Sequence, residues 1–208
     1  YQAAIEAERG LSNPPTTEEV QAIIDQVNTD QAEKDAIFEE ILEDSASIGG
    51  GDNSNGISVT VDQLDKVVEN VDAGLEGEYQ AAIEAETGLS NPPTTEEVQA
   101  IIDAVNVEQA LLAGIFAEVF EDSTGNANND LVTASELEQV VDNVDLTLET
   151  QYQDAIAVAT VSNPATAAEV QAIVDAVKSR GKNVRGASTI TQQVMKNFLL
   201  GGERKIER

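Results

Sequence analysis

Residues 1–28, YQAAIEAERGLSNPPTTEEVQAIIDQVN, return as residues 79–106, YQAAIEAETGLSNPPTTEEVQAIIDAVN. Only Arg9 against Thr87 and Gln26 against Ala104 differ, so 26 of 28 positions match at an offset of 78. A third, weaker copy starts at Tyr152 as YQDAIAVATVSNPATAAEVQAIVDAV. Repetition at a fixed period is the signature of stacked modules, each burying its apolar face against a neighbour. Within the repeat, Val20, Ile23, Ile24 and Val27 fall at i, i+3, i+4 and i+7, one stripe of a helix. Thr16 with Glu19 makes a capping box, in which hydroxyl and carboxylate satisfy backbone N–H groups at the helix start. Thr94 with Glu97 and Thr166 with Glu169 repeat it. Pro14 and Pro15 hold the residues before them out of helix and separate this helix from YQAAIEA.

The rest of the unit repeats as well. A third helix carries Ile37, Phe38, Ile41 and Leu42, matched by Ile115, Phe116, Val119 and Phe120. A fourth starts at Thr60 or Thr133, with Gln63 or Glu136 as the capping partner. Its stripe is Val61, Leu64, Val67, Val68 and Val71, then Leu137, Val140, Val141 and Val144. The offset shrinks from 78 at Glu43-Asp44-Ser45 to 73 at Val67–Asp72, so five residues are lost in between. The loss falls in a Gly-, Asn-, Ser- and Asp-rich stretch, which is therefore a surface loop. The expectation is an all-α chain of tandem four-helix repeats of about 75 residues with small aliphatic cores, because aromatics make up only 3%.

Composition excludes much chemistry. Of 208 residues none is Cys or His, which removes disulfides, thiol nucleophiles, Cys/His zinc sites and Ser-His pairs. No run of 18 apolar residues is present, so no membrane span is expected. The chain begins at Tyr1 and reads as a fragment or processed piece. Charge is divided abruptly. Residues 1–177 hold 3 basic and 37 acidic side chains, whereas residues 178–208 hold 8 basic and 2 acidic. The acidic part repels nucleic acid, so none is expected as a partner. The expected divisions are a first acidic repeat at 1–78, a second at 79–151, a partial third at 152–177 and a basic segment at 178–208.

That basic segment contains GASTITQQVMKNFLLGGERKIER from Gly186 on. Gly186, Ser188, Thr189, Ile190, Thr191, Gln192, Gln193, Lys196, Asn197, Glu203 and Arg204 closely resemble the second signature of the peptidoglycan glycosyltransferase family, which includes the class A penicillin-binding proteins. The residue chemistry agrees. Thr189 and Gln192 can cap a helix whose apolar stripe is Ile190, Val194 and Phe198. Neutral donors near a helix start favour an anion, and Lys196 and Arg204 add charge suited to phosphate. The resemblance implies that Lys196 and Arg204 stabilise the leaving diphosphate of a lipid-linked peptidoglycan precursor. It implies that Ser188, Thr189, Thr191, Gln192 and Gln193 line the cleft. It also implies a bacterial cell-envelope location, and a divalent cation for the intact enzyme only; this chain holds no cofactor of its own.

The departures matter equally. The family's first signature, Glu-Asp-x-x-Phe-x-x-His-x-Gly, belongs some 40 residues upstream, where this chain has its third acidic repeat and no His. The general base for the acceptor hydroxyl is thus missing. The third signature, Arg-Lys-x-x-Glu, would begin at Arg208. The expected function is therefore a glycosyltransferase fragment or chimera, inactive by itself, with no catalytic residue.

The acidic repeats resemble the tandem helical modules of large bacterial surface proteins of the adhesin type, through YQAAI, NPPTTEEVQAIIDAVN and VTVDQL. That resemblance implies an extracellular structural or adhesive role as the alternative. The loops Gly51–Gly56 and Gly125–Asp130 look like worn calcium loops, since hard cations need several oxygens on one turn. A register ending at Glu136 puts Gly125 and Ala127 where carboxylates belong; one ending at Gln63 lacks the final Glu. Both loops read better as solvated turns. Adjacent acids such as Glu18-Glu19 and Glu96-Glu97 sit at helix starts, where they favour the dipole, rather than forming catalytic pairs.

Overall fold

A computed structural model describes residues 1–8, 10–46, 56–125 and 130–180. The chain is all-α, with no strand among the described residues. In chain order the helices are α1 (Gln2–Ala7), α2 (Thr17–Asp44), α3 (Val61–Leu64), α4 (Glu76–Ala85), α5 (Thr95–Thr124), α6 (Ala134–Val140), α7 (Glu149–Ile156) and α8 (167–180). Short 3-10 turns at Ala73–Leu75 and Leu146–Leu148 lead into α4 and α7.

Two expectations from periodicity need correction. The helices expected separately at Thr16–Asn28 and around Ile37–Leu42 are one helix, α2, and their counterparts are one helix, α5. No Gly or Pro interrupts 17–44, and Gln–Asp pairs four apart brace its exposed side: Gln21 to Asp25 at 2.8 Å, Gln26 to Asp30 at 2.6 Å and Gln31 to Asp35 at 2.8 Å. Each such pair contributes about 0.2–0.5 kcal/mol. The fourth helix is shorter than its stripe suggested. α3 ends at Leu64, and the chain turns through Val67 and Val68, both buried, to Asn70 at φ 59°. Asn143 repeats this at φ 58°, because Asn tolerates the left-handed region that other side chains avoid. The Gln99 side chain also takes the Glu69 N–H at 2.7 Å and donates to the Glu69 carbonyl at 3.0 Å, removing both from any helical ladder.

The chain divides into two compact units between Glu108 and Gln109, within α5. In the first, Ile37 and Ile41 of α2, Val59, Leu64, Val67 and Val68, Tyr79 and Ile83 of α4, and Val98, Ile102 and Val105 of α5 form one core. In the second, Ile115 and Val119, Val132, Ala134 and Leu137, Tyr152 and Ile156, and Val170, Val174 and Val177 do the same. Each module thus joins the last half of one long helix and the short helix after it to the first half of the next long helix. By length and composition α5 could cross a membrane, with a mean hydropathy of 1.5 over its best window. Val98, Ile102, Val105, Ile115 and Val119 on it serve the two cores instead.

Tyrosine fixes the modules with its hydroxyl as well as its ring. The Tyr79 hydroxyl donates to Asn106 Oδ1 at 2.6 Å and accepts the Asp72 N–H at 3.0 Å. Asn106 Nδ2 in turn donates to the Asn70 carbonyl at 2.9 Å. In the second module the Tyr152 hydroxyl accepts the Asp145 N–H at 3.0 Å, and Lys178 Nζ donates to the Asn143 carbonyl, in the place of Asn106. α8 runs without interruption through Val177 and Lys178 to residue 180, so the charge boundary in the sequence is no helix end.

Candidate functional site

The end of each long helix presents a buried carboxylate. Asp44 and Asp122 are 3% and 4% exposed. Asp44 Oδ2 accepts the Val59 N–H at 2.8 Å, and Asp122 Oδ2 accepts the Val132 N–H at 2.9 Å, so each acid ties off the loop that follows its helix. The other oxygen of each makes no hydrogen bond. Burial pushes both carboxyls above the usual range, against the opposing pull of that backbone hydrogen bond. Neighbouring carboxylates push the same way: Glu40, Glu43 and Glu84 at Asp44, and Glu121, Asp130 and Glu136 at Asp122. Sequence reasoning missed this pair, although the repeated Glu-Asp-Ser was its visible trace. Among the described residues no group of acids is arranged to hold a metal ion. Glu136 Oε2 is engaged at 2.7 Å by both the N–H and the hydroxyl of Thr133, and Gln63 Oε1 likewise by Thr60 at 2.9 and 3.0 Å. The loop positions 51–55 and 126–129 lie outside the described residues.

A second recurring constellation joins a Ser, a Thr and a Glu across the prolines. Glu97 accepts the Ser90 hydroxyl at 2.6 Å, the Ser90 N–H at 3.1 Å and the Thr94 N–H at 2.7 Å, and the Pro92 carbonyl shares the Ser90 hydroxyl as a second acceptor at 2.8 Å. Glu19 and Glu169 have the same partners in their copies. The serine hydroxyl, and then the backbone donors, hold all three carboxyls down to about 2 from an ordinary 4.5. A carboxyl that low is a structural clamp with no proton to exchange near neutrality. Its folded-state value lies below its unfolded one, so its stabilisation is complete above pH 4.5 and is lost as pH falls toward 2. Thermal melts from pH 5 to 2 should show a shallower acid loss in Glu97→Gln than in the parent chain. Equal slopes would remove Glu97 from the account.

Between the paired helices of each copy lies an open groove. That of the first module, about 430 Å³, is floored by Ala82, Leu89, Ile101 and Ala104 and rimmed by Glu86, Glu97 and Glu108. Its floor is apolar and its rim acidic, so it is unsuited to an anionic ligand.

The residues expected to hold a lipid diphosphate, Ser188, Thr189, Thr191, Gln192, Gln193, Lys196 and Arg204, lie outside the described residues. The structure brings only the root of that segment into view, at Lys178 and the end of α8. A family model described as Transglycosylase matches residues 127–208, less than half of the chain. The C-terminal segment is transglycosylase-like. The match begins well before Lys178 and takes in α6, α7 and α8 together with the basic tail. No curated protein and no solved structure matches the chain.

Proposed function

We propose that this polypeptide carries the lipid-diphosphate-binding segment of a peptidoglycan glycosyltransferase, attached to acidic helical modules, and that it does not polymerise glycan by itself. The observation behind this reading is the run Gly186–Asn197, with Lys196 and Arg204 beside neutral hydroxyl and amide donors, inside the segment that is transglycosylase-like. Lys supplies a compact charge and Arg a two-pronged donor, the pair that a diphosphate leaving group requires. Polymerisation also needs a base for the acceptor hydroxyl, and the chain has no His and no Glu-Asp-x-x-Phe signature upstream. In this reading the divisions are repeats at 1–78 and 79–151, a partial repeat at 152–177 and the glycosyltransferase segment at 178–208. The site is at the bacterial cell envelope. Incubation with lipid-linked disaccharide precursor should give no glycan chains on gels, whereas the precursor should bind and Lys196→Ala with Arg204→Ala should release it. Glycan product would overturn the inactivity, and binding unaffected by the double variant would overturn the site.

A second reading is favoured by a separate observation. Ile37, Ile41, Val59, Leu64, Tyr79 and Ile83 of one core have Ile115, Val119, Val132, Leu137, Tyr152 and Ile156 as counterparts in the other, which suits an extracellular acidic spacer of structural or adhesive duty. Further 75-residue acidic units in the flanking gene sequence would favour it over the first.

A further inference from the structure

The groove between α4 and the first half of α5 owes its shape to small residues and its charge to three acids. Ala82, Ala100 and Ala104 present only methyl groups to it, and Leu89 and Ile101 complete the apolar floor. Ala100 and Ala104 are exposed. Val107 lies seven residues on from Ala100, on the same face of α5, and is 70% exposed. Two of the rim carboxylates are fixed in place. Glu86 Oε1 accepts the Thr87 and Gly88 N–H groups at 2.9 and 2.8 Å, and Glu97 is held by Ser90 and Thr94. Glu108 is exposed and stands eleven residues from Glu97, three turns or about 16 Å along the helix. Neither α4 nor α5 carries a Lys or Arg.

The groove between α7 and α8 has the same floor and a different rim. Ala155, Ala172, Ile173 and Ala176 stand for Ala82, Ala100, Ile101 and Ala104. Glu169 stands for Glu97, but Ala159 replaces Glu86 and Arg180 replaces Glu108. The molecule thus holds two like-shaped apolar grooves, one ringed by three negative charges and one nearly balanced. We propose that the α4–α5 groove is a docking site for a cationic amphipathic helix of a partner protein, and that the α7–α8 groove is not. An apolar stripe of the partner fills the alanine floor, and Lys or Arg on its flanks meet Glu86, Glu97 and Glu108. Fixed carboxylates favour such a partner because their ordering is complete before it arrives. An acidic helix is repelled by the same rim, and a neutral one gains the floor alone.

The chain has no Cys, so one introduced thiol reports on one groove. The test labels the full chain with a polarity-sensitive dye at Val107→Cys, or at Ser179→Cys for the α7–α8 groove, both exposed positions. The probe is a helical peptide of about 18 residues made of Leu and Lys, with the leucines on one face. The dye at position 107 should respond with saturation, and the dye at 179 should need at least tenfold more peptide. Adding Glu108→Lys to the first labelled chain should weaken binding at least tenfold. It should leave the melting of the module unchanged, since Glu108 is exposed and outside the core. Four results would overturn the proposal. They are no response at millimolar peptide, equal affinity in Glu108→Lys, equal affinity at the two dyes, or equal binding by a peptide whose leucines are replaced by glutamines, which means charge attraction without a groove.

Discussion

Tyr79→Ala should destabilise the first module by about 3–5 kcal/mol, the range for truncating a large aromatic in a core. Tyr1→Ala, the same substitution in nearly the same sequence, should change stability by less than about 0.5 kcal/mol. Tyr79 is fully buried and its hydroxyl bonds both Asn106 and the Asp72 N–H, so the variant leaves a cavity and an unpaired donor. Tyr1 loses only a contact with Asn28 on an exposed surface. Tyr79→Phe separates the two effects. It keeps the ring and should lose about 1–3 kcal/mol through the unpaired polar groups alone. Urea titration with helical signal measures all three. A small effect of Tyr79→Ala, or equal effects at both tyrosines, would show that the module core is not where the structure puts it.

Asp122→Ala should destabilise the second module by about 1–3 kcal/mol at neutral pH, because it leaves the buried Val132 N–H without an acceptor. Asp122→Asn should lose less. It retains an oxygen for Val132 and removes a charge that burial disfavours. The sign of the pH dependence distinguishes this acid from the clamping glutamates. The Asp122 carboxyl titrates higher folded than unfolded, so ionisation costs stability that returns as pH falls through its raised value. For Glu97 the carboxyl is lowered, and acid removes stability instead. The melting temperature of the parent chain minus that of Asp122→Asn should therefore rise as pH falls into mild acid. A difference that falls would reverse the assigned direction.

Much of the fold was legible because its determinants are local. Thr94 and Glu97 sit three apart and meet without help from the rest of the chain, and all three such caps form as the spacing indicated. The apolar stripes likewise named Ile37, Ile41, Leu64 and Leu137, all of them buried in the cores, whereas Val20, Ile23, Ile24 and Val27 lie outside both. What periodicity could not supply was continuity. Both expected helices of α2 share one phase, and only the chain between them, held by Gln–Asp pairs, makes them one rod. The candidate lipid-diphosphate residues rest on the sequence, since Ser188 to Arg204 lie outside the described residues.

Sequence alone determined that the chain is helical, acidic and modular, because charge, caps and i, i+3, i+4 stripes are properties of neighbouring residues. Tertiary structure alone decided which copy of a repeated sequence is buried. Tyr1 and Tyr79 stand in the same local context, and burial depends on whether a covering half-module from elsewhere in the chain reaches them. It also decided that Asp44 and Asp122, two acids among 39, lie inside the protein, each accepting the N–H of a residue beyond the following loop, Val59 or Val132.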